Sequence, residues 1–117
     1  MENILDKTEA LEKAGGKAEL AKELFGMLLN ELPKLKELVV NAYNINNRKD
    51  FWDHVHKIHG STTYCGVPAL NFSAKTLEDA IKQDKSLPEM EVELTQLNKA
   101  IDDLLKIGEL ELNSDWY

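Results

Sequence analysis

Apolar residues recur at steps of three and four along nearly the whole chain, while alternation with period two is confined to short pieces such as Glu109 to Leu112. Side chains follow one another at roughly 100° around a helix, so this spacing lines one face of a helix and cannot line one face of a strand. The chain therefore reads as all-α. Its 117 residues suit one domain with one core, and a content of 43% hydrophobic and 30% charged residues is that of a globular protein rather than a disordered tail.

Local signals divide the pattern into helices. Asp6 with Glu9 three residues later opens a short helix that stops at Gly15 and Gly16, a peripheral cover for the core. Leu20, Ala21, Leu24, Phe25, Leu28 and Leu32 form the next stripe, and Leu35, Leu38, Val39, Ala42 and Tyr43 continue it beyond Pro33. A proline lacks the amide proton, so a kink or a new helix is expected there. Asn44 to Lys49 reads as a turn, with Asp50 as N-cap of a helix running to Cys65 that holds all three histidines. Pro68 suits the first turn of another helix carrying Leu70, Ala74, Leu77 and Ile81 to a polar break at Gln83 to Lys85. Ser86 and Glu89 then open a last helix with the stripe Leu94, Leu97, Ile101 and Leu104, ending near Gly108. Short connections favour antiparallel neighbours. The expected fold is an antiparallel up-and-down four-helix bundle with one or two additional N-terminal helices, a single domain over 1–117 with its core at about 4–108 and an acidic tail at 109–117. The tail is either ordered through Trp116 and Tyr117 or frayed.

Composition removes several function classes. Fourteen Lys and Arg against 21 Asp and Glu leave a net charge of −7 with no basic cluster, so nucleic acid is not an expected partner. The longest apolar runs, such as Leu38 to Val40, fall far short of the roughly 20 residues of a membrane span, and Met1 to Glu9 lacks the features of a signal peptide. No direct membrane contact is expected. One cysteine, Cys65, precludes an internal disulfide and suits a reducing, cytoplasmic setting. Glycine-rich phosphate loops, nucleophile elbows and paired cysteines are all missing.

The histidine helix is what remains. At roughly 100° per residue, Phe51, Val55, Ile58 and Thr62 share the core face, and His56 projects about 100 to 120° from its centre, toward water. Gly60 lies one turn beyond His56 on the same side. Glycine in a helix costs about 1 kcal/mol relative to alanine. Gly60 therefore either clears space beside the imidazole for another molecule or marks a bend or a close helix contact. A neutral imidazole nitrogen is a nucleophile or base near neutral pH. No serine, cysteine or second base is fixed beside it, so attack on an already activated group, a carrier role, is favoured over self-contained hydrolysis. His59 sits between the core face and the His56 face, placed to influence His56 or to satisfy a hydrogen bond of its own, and His54 falls on the other flank as a structural surface residue. Spacings of three, as in Asp53 and His56 or His56 and His59, occur in metal-binding bundles, but no second histidine-bearing helix is present, so no metal site is expected.

The run His56-Lys57-Ile58-His59-Gly60-Ser61, continuing through Tyr64-Cys65-Gly66-Val67-Pro68-Ala69-Leu70, resembles the histidine-containing phosphotransfer (HPt) domain, more narrowly the C-terminal module of BarA/GacS-type hybrid sensor histidine kinases. The helical pattern from about Ile4 to Leu105 and the Leu77-Glu78 pair extend the likeness over most of the chain. Many members carry lysine three residues after the active histidine, where this chain has His59.

The resemblance implies a phosphorelay intermediate. His56 would accept a phosphoryl group from a receiver-domain aspartate and pass it to the aspartate of a response regulator, without an ATP site of its own and with magnesium supplied by the receiver. The alternative is a non-catalytic helical docking module for a response regulator. Gly60 would admit the receiver's loops. Lys57, His59 and Lys75 would lie near the phosphoryl group or the receiver rim, and Trp52 would join the docking surface. Tyr64 and Cys65 are assigned to packing. The isolated domain is expected to be a monomer, and its parent kinase to be anchored in the inner membrane.

Overall fold

A computed structural model describes residues 3–116. All regular structure among them is helical: α1 (Lys7–Lys13), α2 (Ala18–Asn44), α3 (Arg48–Thr62), α4 (Pro68–Lys82) and α5 (Glu91–Leu112), with a 3-10 turn at Pro88–Met90 before α5. α2 packs on α3, α3 on α4, α4 on α5 and α5 back on α2, which closes a four-helix bundle of 44 × 22 × 22 Å. The single additional N-terminal helix, α1, covers α2 and buries Ala10 completely. Each core side chain of the Phe25, Leu32, Phe51, Ile58, Leu77 and Leu104 type contributes about 1.5–3 kcal/mol by leaving water.

Several boundaries differ from the sequence expectation, each for a local reason. Pro33 does not divide the second helix: Leu28, Leu32, Leu35 and Val39 are buried along one stripe, and their packing holds α2 together across the missing amide. Asn47 rather than Asp50 caps α3, because Asn46 takes the left-handed conformation (φ 59°) and brings the Asn47 side chain to accept from the Asp50 amide at 3.1 Å. Ser86 and Glu89 pair as expected, yet Glu89 lies within the 3-10 turn, and α5 starts only at Glu91.

At the other end, α5 does not stop at Gly108. A Cβ there would sit 2.5 Å from the Leu29 side chain, so this glycine serves a close α2–α5 contact within the helix. The last residues are not frayed either. Trp116 is buried against Phe25 with ring centroids 5.2 Å apart, and Lys7 reaches Ser114 Oγ at 2.7 Å and Glu111 at 3.1 Å. Tyr117 lies outside the described residues.

Gly66 ties α1 to the α3–α4 turn. Its φ is +67°, its carbonyl accepts from the Asp6 amide at 2.7 Å, and a Cβ would fall 2.5 Å from the Asp6 carbonyl oxygen. Asp6 thus gives its amide to Gly66 while its side chain caps Glu9. Gly66→Ala is expected to cost about 2 kcal/mol, the left-handed penalty plus part of the steric one, read as a lowered midpoint in urea with an unchanged slope.

Candidate functional site

The site depends on the register of α3 against α4, and that register is pinned at both ends. At one end Arg48 Nη1 donates to the Lys85 carbonyl at 2.6 Å and Nη2 to the Ile81 carbonyl at 2.7 Å, satisfying carbonyls at and just beyond the end of α4. At the other, Asn71 Nδ2 donates to Thr62 Oγ1 at 3.0 Å. Phe51, Val55, Ile58 and Thr62 fill the core side of α3 as the periodicity requires. On α4, Ala74, Leu77 and Ile81 do the same, and Glu78 is buried among them.

His56 points outward, its side chain 61% exposed. Its Nδ1 lies 2.7 Å from Glu78 Oε1. An ionised carboxylate only accepts hydrogen bonds, so opposite it Nδ1 is the donor, and in the neutral ring Nε2 is the nitrogen that keeps its lone pair. The Trp52 indole, one turn earlier, stacks on the ring at 5.4 Å with an interplanar angle of 12°. Lys82 lies over the indole, its Nζ 5.6 Å from the centroid. Edge and face of the imidazole are therefore both held, and Nε2 is left at the open side.

A Cβ at Gly60 would meet nothing within 4 Å, so a close helix contact is not what calls for the glycine. No neighbouring helix needs the glycine, and the surface beside His56 is bare. His59 is half-buried, and its Nδ1 approaches Glu78 Oε2 to 2.6 Å. The two are not aligned for a hydrogen bond, so Oε2 remains a buried oxygen without a hydrogen-bond partner.

Lys57 is exposed on α3. Lys75 is exposed on α4 and pairs with Asp79, one turn along, at 2.9 Å. That hydrogen bond, with the attraction of the Asp79 charge, holds the Lys75 ammonium above its usual range and the Asp79 carboxyl below its own. His54 is half-buried on the other flank.

Cys65 is packing, as expected: buried, with Sγ donating to the Ser61 carbonyl at 3.3 Å, and desolvation pushes its thiol up to about 11. Thiol-reactive reagents are therefore expected to label the folded chain more than about tenfold slower than the unfolded chain at pH 8. Tyr64 departs from its assignment to packing and is 58% exposed, because it lies past the end of α3 in a turn that sends Cys65 and Val67 inward and Tyr64 out.

Two residues of the arrangement were given no role from sequence: Glu78, noted only within the Leu77-Glu78 pair, and Lys82. For Glu78 a signal existed: a carboxylate set one turn after Ala74 and beside Leu77 on the apolar face of α4 must have a partner. Lys82 carried no such mark. Among the described residues no group of three or more His, Cys, Asp or Glu is placed to hold a metal ion.

A helical bundle that holds one exposed imidazole by its Nδ1 edge, with bare surface a turn away, has the form of a phosphotransfer domain. Residues 23–107 match the family model described as "Hpt domain". The chain belongs to the Hpt domain family, whose members serve as phosphocarriers in phosphorelays. It is 38% identical over 81 residues to the sensor histidine kinase GacS of Pseudomonas protegens, covering 69% of this chain and 9% of that protein. It is 37% identical over 98 residues to the sensor protein GacS of Pseudomonas syringae pv. syringae, covering 84% and 11%. The signal transduction histidine-protein kinase BarA of Escherichia coli K12 is 31% identical over 102 residues, covering 87% and 11%. The chain thus spans only about a tenth of the length of these relatives. The crystal structure of the HPt domain of a sensor hybrid histidine kinase from Shewanella superposes with a TM-score of 0.88 at 28% identity, covering 93% of both chains. Among the described residues no helix is long and apolar enough to cross a membrane.

Proposed function

We propose that this domain carries a phosphoryl group on His56 Nε2 between two receiver domains, one belonging to a hybrid sensor kinase and the other to a response regulator. The observation that carries the reading is the pairing of His56 Nδ1 with Glu78, which puts the proton on one nitrogen and leaves the exposed one free to attack. Nε2 attacks the phosphorus of the first receiver's aspartyl phosphate in line. The N–P bond forms, the acyl P–O bond breaks, and the aspartate leaves as a carboxylate. Transfer to the second receiver's aspartate runs the same steps in reverse.

Such a transfer depends on positioning and charge neutralisation more than on covalent assistance. Glu78 and Trp52 fix the ring, Gly60 leaves room for the receiver's loops, and Trp52 and Lys57 lie on the same helix as contacts for its rim. The domain needs no nucleotide or metal of its own, and magnesium belongs to the receiver. It works in the cytoplasm as a monomeric module of a kinase whose other parts are anchored in the inner membrane.

The test is incubation with a receiver bearing 32P-labelled aspartyl phosphate. Acid-labile, base-stable label on this chain, with the phosphorus bonded to Nε2 by 31P and 15N NMR, is the expected result. Docking without label would leave only a binding module, and label bonded to Nδ1 would overturn the assigned geometry.

A further inference from the structure

We infer that His59 is a positioning residue that acts through Glu78: its Nδ1–H supplies the donor that the buried Oε2 lacks, and so keeps the carboxylate in the pose that holds His56. The inference deepens the phosphotransfer reading and rests on it for its kinetic consequence alone.

The Glu78 side chain is only 5% exposed. One of its oxygens takes the His56 Nδ1 proton, and the other is buried without a hydrogen bond. A buried carboxylate oxygen without a donor is costly. Among the described residues the imidazole or cation within ion-pairing distance of Oε2 is His59, at 2.6 Å. The His59 side chain is 29% exposed, so its ring has room for the small rotation that aligns Nδ1–H with the oxygen.

Two imidazoles then share one carboxylate, each by Nδ1 and each with Nε2 turned away from it. Removing the His59 donor frees the carboxylate to turn toward water or toward Lys75, whose ammonium already feels the Glu78 charge. His56 Nδ1 then loses its acceptor, and its ring can carry the proton on Nε2, where it blocks the attacking lone pair. A residue that instead touched the phosphoryl group directly would act whether or not Glu78 were ionised.

The tautomer of His56 is read by long-range 1H–15N NMR on the whole chain, alongside transfer rates from a phosphorylated receiver. In the parent chain His56 is expected as the Nδ1–H form. His59→Phe is expected to move it toward the Nε2–H form and to slow transfer about tenfold, and His59→Gln, which keeps an N–H donor, to restore both. In a Glu78→Gln background His59→Phe should add nothing further to either readout. An unchanged His56 tautomer in His59→Phe, or an equal slowing with and without the Glu78 charge, would overturn the proposal. Should His59→Phe not fold, as judged by circular dichroism, the His59 15N shifts in Glu78→Gln decide: the proposal requires them to move, and unmoved shifts overturn it. The tautomer needs no phosphate, so a parent chain that accepts none would sink the phosphotransfer reading and leave this inference to stand or fall on the NMR.

Discussion

Replacing His56 with glutamine is expected to reduce phosphoryl acceptance to background, a loss limited only by the sensitivity of the assay, while the chain stays folded. Glutamine keeps a polar amide that can donate to Glu78, but it has no lone-pair nitrogen with which to form an N–P bond. The cost to stability should be within about 0.5 kcal/mol, because the His56 side chain is 61% exposed and glutamine keeps a donor for Glu78. Equal circular dichroism and equal unfolding midpoints for parent and variant, with label on the parent only, are the expected observations. Label persisting on the variant would move the site to another residue, with His59 the first to examine.

Gly60 provides the second large effect, and there stability and transfer should move in opposite directions. A Cβ at this position meets nothing within 4 Å and Gly60 is exposed, so alanine fits the free domain and a longer side chain starts out into solvent. Alanine and leucine are both better helix formers than glycine, and Gly60→Ala is expected to raise stability by about 0.5–1 kcal/mol. Under the proposed function the same surface is where a receiver brings its aspartyl phosphate up to Nε2, one helical turn away. Transfer should therefore fall as the side chain grows, modestly for alanine and about 100-fold for leucine, equivalent to about 2.7 kcal/mol in the barrier. Stopped-flow transfer rates together with thermal midpoints check both halves. A leucine variant that transfers at the parent rate would show that the bare patch does not face the partner.

Much of this architecture was legible in the order of residues. The 3.6-residue period marks every bundle helix, Asp6 and Pro68 mark two starts, and the exposure of His56 follows from its angle to Phe51, Val55 and Ile58. What was misread were ends. Gly108 and Asp50 are local signals whose ordinary meaning was overridden, the first by packing against Leu29 and the second by a better cap at Asn47, while Pro33, where a kink or a new helix was expected, stands inside a single α2. Tyr64 was misplaced because it follows the last turn of α3, where helical angles no longer say which way a side chain points.

By itself the sequence determined which histidine faces outward: periodicity is a property of one helix, and one helix suffices to turn His56 to water and to set Gly60 beside it. Which nitrogen of that histidine is free was decided only by the tertiary structure, because Glu78 lies 22 positions along the chain and meets the imidazole through the register of α3 on α4. That register rests on Arg48 and Asn71 binding atoms of the opposite helix and its flanking turn. A proton's place on a ring depends on what faces the ring across space, and neighbours in sequence do not carry that information.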